Sequence, residues 1–179
     1  MNMSELKKKL LFNPDGDIDI RERMMVGGNT TNLNDFNHMK YTWVSSWYRQ
    51  AMNNFWIPEE INLGVDIKDY RNLPKPEKRA YDKILSFLIF LDSIQTANLP
   101  NIGEYITANE VNLCLSIQAF QEAVHSQSYS YMLDTICEPQ ERSRVLYQWK
   151  EDRHLLARNK FIGDLYNEFQ KEKSIEKQL

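Results

Sequence analysis

Glycine and proline are scarce, 6 of each in 179 residues, which argues against a loop-rich all-β domain. Cysteine is scarcer still. Cys114 and Cys137 stand 23 positions apart in helical-looking sequence and form no disulfide framework. As reduced core thiols they fit a reducing cytosol, and the expected location is cytoplasmic. No apolar run approaches the roughly 18 residues of a membrane span. The opening MNMSELKKKLLF is basic but has no apolar h-region and no small-residue cleavage site, so a signal peptide is not expected. A positive excess is missing too. Lys+Arg is 22 against Asp+Glu 25, a net charge of −3, and phosphate neutralisation needs a basic face, so nucleic acid is not the expected partner. Apolar residues, by contrast, are abundant. With 42% hydrophobic and 12% aromatic residues the chain can offset its conformational entropy, and its length suits one domain.

The pattern along the chain is helical. Residues 1–38 carry Pro14, Gly16, Gly27 and Gly28 among scattered Asn and Asp, and read as a weakly ordered arm. Residues 39–170 read as a helical half-domain and 171–179 as a charged tail. Tyr41, Val44, Trp47, Tyr48, Met52 and Phe55 recur at helical steps, predicting a first helix that ends before Pro58. A loop containing Gly64, Pro74 and Pro76 follows. The second helix runs from about Glu77 to about Thr96; its ILSFLIFLDSI is apolar nearly all round, and Asn98-Leu99-Pro100 should end it. The third starts near Thr107, with Thr107 as N-cap and Glu110 as its capping-box partner, and meets no breaker before Pro139. Pro139 opens a fourth helix through Trp149. The polar run Lys150-Glu151-Asp152-Arg153-His154 interrupts the pattern, and a last helix carries Leu155, Phe161, Leu165 and Phe169. The fold class is all-α and bundle-like.

Chemistry concentrates in QAFQEAVHSQSYSYM, residues 118–132. Glu122 and His125 are three apart, so on a helix they lie about 60° apart and about 4.5 Å along the axis, close enough to grip one metal ion. Glu-x-x-His is the repeated unit of di-iron and di-manganese carboxylate bundles. A solvated helix pair is the plain alternative for a lone match. Asp92 sharpens the case. It sits near the end of the most apolar helix, where a solvent-facing acid would oppose the helix dipole and a core-facing one needs a neutralising partner such as a metal. Tyr129 lies seven residues beyond Glu122, on the same face. It reads either as one of 9 tyrosines packing the core or as a redox-active tyrosine beside an oxidising metal pair. Glu151 and His154 repeat the Glu-x-x-His spacing, but their neighbours Lys150, Asp152 and Arg153 are all charged, and a solvated connection is the reading preferred.

Taken together these motifs resemble the small, radical-generating subunit of class I ribonucleotide reductase over about residues 40–170. NNFWIPEEI (53–61) resembles the family's Phe-Trp-x-Pro-Glu-Glu element, FLDSIQ (90–95) the segment of the first metal ligand, and FQEAVHSQSY (120–129) the Glu-x-x-His-x-x-x-Tyr segment. The resemblance implies a ferritin-like helical bundle, incomplete on its own and forming half of a di-metal bundle. Its metals would be iron or manganese: two irons, two manganese ions, or one of each. Asp92, Glu122 and His125 would be metal ligands, Tyr129 the radical site, and Trp56 a station on the electron route to the catalytic subunit.

The family's site uses six protein ligands, the other three being a further Glu and a second Glu-x-x-His downstream. The expectation is therefore an N-terminal part of a split small subunit, acting as an oxidoreductase subunit with partner chains. A second chain would supply the missing ligands, a large catalytic subunit would carry out ribonucleotide reduction, and the small-subunit assembly would be homodimeric or heterotetrameric, with no nucleic acid and no membrane. Two other readings stay open: a self-contained ferritin-like metal oxidase using Glu151 and His154, and a non-catalytic helical assembly subunit with an apolar face around Phe87, Leu88 and Leu91.

Overall fold

Helices account for the regular structure of residues 6–172, the part of the chain that the computed structural model describes. They are α1 (Trp43–Asn53), α2 (Asp66–Asn72), α3 (Lys75–Gly103), α4 (Asn109–Ile136), α5 (Pro139–Leu146), α6 (Gln148–Glu151) and α7 (Arg153–Glu172). A 3₁₀ turn at Pro58–Glu60 precedes α2, and β-pairing is confined to isolated bridges among the described residues. The architecture is all-α. Residues 1–5 and 173–179 lie outside the described residues, and with them most of the expected charged tail.

The chain divides into two compact units. The first comprises the chain up to Phe55, Ala97–Phe120 and the chain from Leu165 onward. Its core is Val44, Ile106, Ala108, Val111 and Cys114. Thr107 and Glu110 do not form the expected capping box. Thr107 donates its hydroxyl to Met24 O and accepts from Gly28 N, while Glu110 pairs with Arg23 at 2.8 Å and accepts from the backbone N–H of Lys40 at 3.1 Å. Both side chains thus tie the lead-in to the start of α4, which begins at Asn109. The same carboxylate engages the amides just before α1, which starts at Trp43. Gly27 supplies the positive φ, 70°, that this lead-in turn requires. Pro100, expected to end α3, lies inside it. Leu99 is buried and Ile102 packs on the core, and this apolar burial carries the helix one turn past the proline. On α1, Val44 and Ala51 are buried, whereas Trp47 and Met52 from the expected periodic face are exposed, as is Phe55 beyond the end of the helix.

The second unit comprises Trp56–Thr96 and Gln121–Asp164. Tyr70, Leu85, Ile89, Leu133, Ile136, Cys137 and Val145 form its core, with Tyr129 packed against it. The expected loop after Pro58 contains α2, whose Tyr70 is buried and accounts for this helix. The polar run at 150–154 also has a cause. Asp152 is extended, and its carboxylate accepts from the backbone N–H of His154 and Leu155 at 3.0 and 3.2 Å, so it caps α7. Ser86, fully buried, accepts from Trp149 N at 2.9 Å and fixes the α5–α6 joint to α3.

Candidate metal centre

Two long helices bring the candidate ligands together in the second unit. Asp92 comes from α3, while Glu122 and His125 come from successive turns of α4. One ligand atom from each lies within 4.8 Å of the other two. His125 Nδ1 stands 3.3 Å from a Glu122 oxygen and 3.6 Å from an Asp92 oxygen. The acids are mostly shielded, at 17% and 15% side-chain exposure, and the imidazole is half-exposed. Two carboxylates and one imidazole form a donor set of hard oxygens with a borderline nitrogen, which suits a divalent first-row ion such as Fe²⁺ or Mn²⁺. Their charges would balance one such ion.

Tyr129 follows His125 by one turn. Burial, then a hydrogen bond to Asp92 and the charges of Asp92 and Glu122, push its phenol up to about 12. It therefore stays protonated across the neutral range. Trp56 stacks on His125, ring centroids 6.1 Å apart and planes 30° apart. The Tyr131 hydroxyl donates to Ile61 O at 3.3 Å, fastening the turn that follows Trp56. The spacing motifs gave no sign of that bond. All five residues singled out from sequence fall within this unit. Glu151 and His154 do not make a second grip. Asp152 breaks the helix between them, both are exposed, and the His154 ring nitrogen faces Arg153 at 3.3 Å.

Fold and site together define a class, the helical bundles that present carboxylate–histidine groups suited to metal. Comparison narrows it. Residues 33–179 match the family model "Ribonucleotide reductase, small chain". The chain is 78% identical over 170 residues to the ribonucleoside-diphosphate reductase subunit beta of Treponema pallidum (strain Nichols), covering 95% of this chain and 48% of that protein. It is 45% identical over 168 residues to the subunit beta of Aquifex aeolicus (strain VF5), covering 93% of this chain and 24% of that protein. Among solved structures, the ribonucleotide reductase R2 subunit from Clostridium botulinum superimposes with a TM-score of 0.91 at 53% identity, over 97% of this chain and 54% of that one. The chain belongs to the ribonucleotide reductase small-chain family. It spans about half or less of the length of these relatives.

Proposed function

We infer that this chain contributes the first half of a di-metal site and the radical tyrosine of a ribonucleotide reductase small subunit. The observation that carries the reading is the convergence of Asp92, Glu122 and His125 within 4.8 Å, one turn from a half-buried tyrosine packed on the core. Asp92, Glu122 and His125 would hold iron or manganese, and the bound metals would supply the power to oxidise Tyr129. Asp92 lies close enough to raise the Tyr129 phenol and so would offer its proton a place to go as its electron leaves. The ring packs against the core of this unit, which limits its contact with water and so lengthens the life of a stored oxidising equivalent. Trp56, stacked on His125, is the aromatic contact through which that equivalent would leave toward a large catalytic subunit that reduces ribonucleotides. The remaining ligands, a Glu and a second Glu-x-x-His, belong to the half of the family's length that this chain does not span, and a second chain is the carrier the sequence reading expects.

The test is Tyr129→Phe in an assembly reconstituted with the missing half and the large subunit. Metal content should be unchanged, since only a hydroxyl with about 1 kcal/mol of hydrogen bonding is lost. Nucleotide reduction should fall to background. Full turnover by the variant would place the oxidising equivalent elsewhere.

A further inference from the structure

A second cluster of redox-capable groups lies in the same unit, apart from the candidate ligands. Tyr70 on α2 donates its hydroxyl to Asp82 Oδ1 at 2.7 Å and accepts from the Cys137 thiol at 3.3 Å. Asp82 Oδ2 is held by Arg144 at 2.9 Å. Tyr70, Asp82 and Cys137 are each 5% exposed or less. Lys78 sits 4.5 Å from the centre of the Tyr70 ring and pairs with Glu141. These groups link α2, α3, the end of α4 and α5.

We propose that Tyr70 and Cys137 form a buried trap for one-electron oxidants, with Asp82 as proton acceptor and the Cys137 thiol as hydrogen-atom donor. In the first step a one-electron oxidant takes an electron from Tyr70, and the phenol proton crosses to Asp82. The products are a neutral Tyr70 phenoxyl, a protonated Asp82 and the reduced oxidant. In the second, the Cys137 S–H bond breaks and the Tyr70 O–H bond re-forms, leaving a Cys137 thiyl radical. Each group is placed for its part. A buried phenol cannot release an electron cheaply unless its proton has an acceptor at hydrogen-bond distance, and Asp82 is that acceptor. Because proton and electron leave together, the ring stays neutral beneath the Lys78 cation. Burial raises both the Tyr70 phenol and the Cys137 thiol above their ordinary values, so neither works as an ion at neutral pH and both keep the hydrogen this sequence needs.

The source of the oxidant rests on the function inferred above. Tyr129 packs on the core cluster that contains Tyr70 and Cys137, and Tyr81 meets the Tyr70 ring edge-on at 5.6 Å. An equivalent that fails to leave Tyr129 would meet this pair as its drain.

The experiment generates azide radicals, a one-electron oxidant, by pulse radiolysis of the full chain in chelator and follows phenoxyl absorbance. Phenoxyl should decay several-fold faster in the unaltered chain than in Cys137→Ser or Tyr70→Phe. Heavy water should slow the decay of the unaltered chain but not of Tyr70→Phe. Cys114→Ser, which removes the other buried thiol, should leave the decay unchanged. Equal decay in all four proteins, or slowing by Cys114→Ser as large as by Cys137→Ser, overturns the proposal. Should Tyr70→Phe melt near the working temperature, spin-trap adducts mapped on the unaltered chain decide: an adduct on Cys137 supports the pair, and one on Cys114 in its place overturns it. Since azide radicals stand in for any metal-derived oxidant, a negative result removes the trap and leaves the inferred role of Tyr129 standing.

Discussion

Glu122→Gln should stabilise the metal-free chain and remove most of its response to metal. In the free chain the Asp92 and Glu122 carboxylates share one half-exposed imidazole within a 4.8 Å cluster. Two like charges at that separation repel by about 3 kcal/mol at an effective dielectric of about 20. Residual water and the His125 ring reduce this to about 1–2 kcal/mol. Glutamine is nearly isosteric and removes the repulsion. For a chain of this size that should raise Tm by about 2–8 °C in chelator, followed by far-UV circular dichroism. The original carboxylate should matter once Mn²⁺ is added. At about ten times its Kd the ion stabilises by about 1.4 kcal/mol, a rise of about 3–6 °C. Glu122→Gln should lose most of that rise. A variant that melts lower in chelator would show that Glu122 is already satisfied without an ion. An equal Mn²⁺ response in both proteins would mean the ion binds elsewhere, and the ligand assignment would fail.

His154→Ala should leave that Mn²⁺ response unchanged, because Asp152 separates His154 from Glu151; a loss matching that of His125→Ala in the same melting assay would restore the Glu151/His154 site. Ser86→Ala should cost about 1–3 kcal/mol in urea unfolding, because it orphans the Trp149 N–H at a buried joint, whereas Ser46→Ala on exposed α1 should cost under about 0.5 kcal/mol. Lys83 first, and then the amides opening α7, hold Asp152 down to about 2, so its stabilising contribution is complete above about pH 4 and is lost as pH falls toward 2. Acid titration of Asp152→Asn should lack that component, and an unchanged acid limb would show that the carboxylate does not stabilise the fold.

The all-α class and most of the long α3 and α4 were legible because long helix-like apolar stretches leave few alternatives. Asp92 was legible as a conflict, an acid inside FLIFLDSI that helix propensity and burial do not explain. What escaped sequence reading was set by contacts distant along the chain. Thr107 and Glu110 have ideal capping-box spacing, yet their partners are Met24, Gly28, Arg23 and Lys40, some 70 or more residues away. Pro100 is a local stop signal overridden by the burial of Leu99. The α2 helix is short and weakly periodic, and only the burial of Tyr70 accounts for it. Asp152 was visible as part of a charged run but not as a cap, since capping depends on where the next helix starts.

The two acidic clusters of the second unit differ in how far their charges are matched from within the chain. Asp82 is more deeply buried than Asp92, at 2% exposure, but its oxygens meet the Tyr70 hydroxyl and the Arg144 guanidinium. Its charge is matched and its lone pairs are used, so the network is closed and supplies rigidity from within the chain. Asp92 and Glu122 instead converge on a single imidazole that stands 3.3 and 3.6 Å from them, wide for a strong charge-assisted bond. Two negative charges then face at most one positive charge in a largely shielded place. Such an arrangement is costly in a structural core and useful where a cation completes it. The same helix α3 carries both acids ten residues apart, so the difference lies in what α4 and α5 bring to each, a basic side chain at one and a second carboxylate at the other.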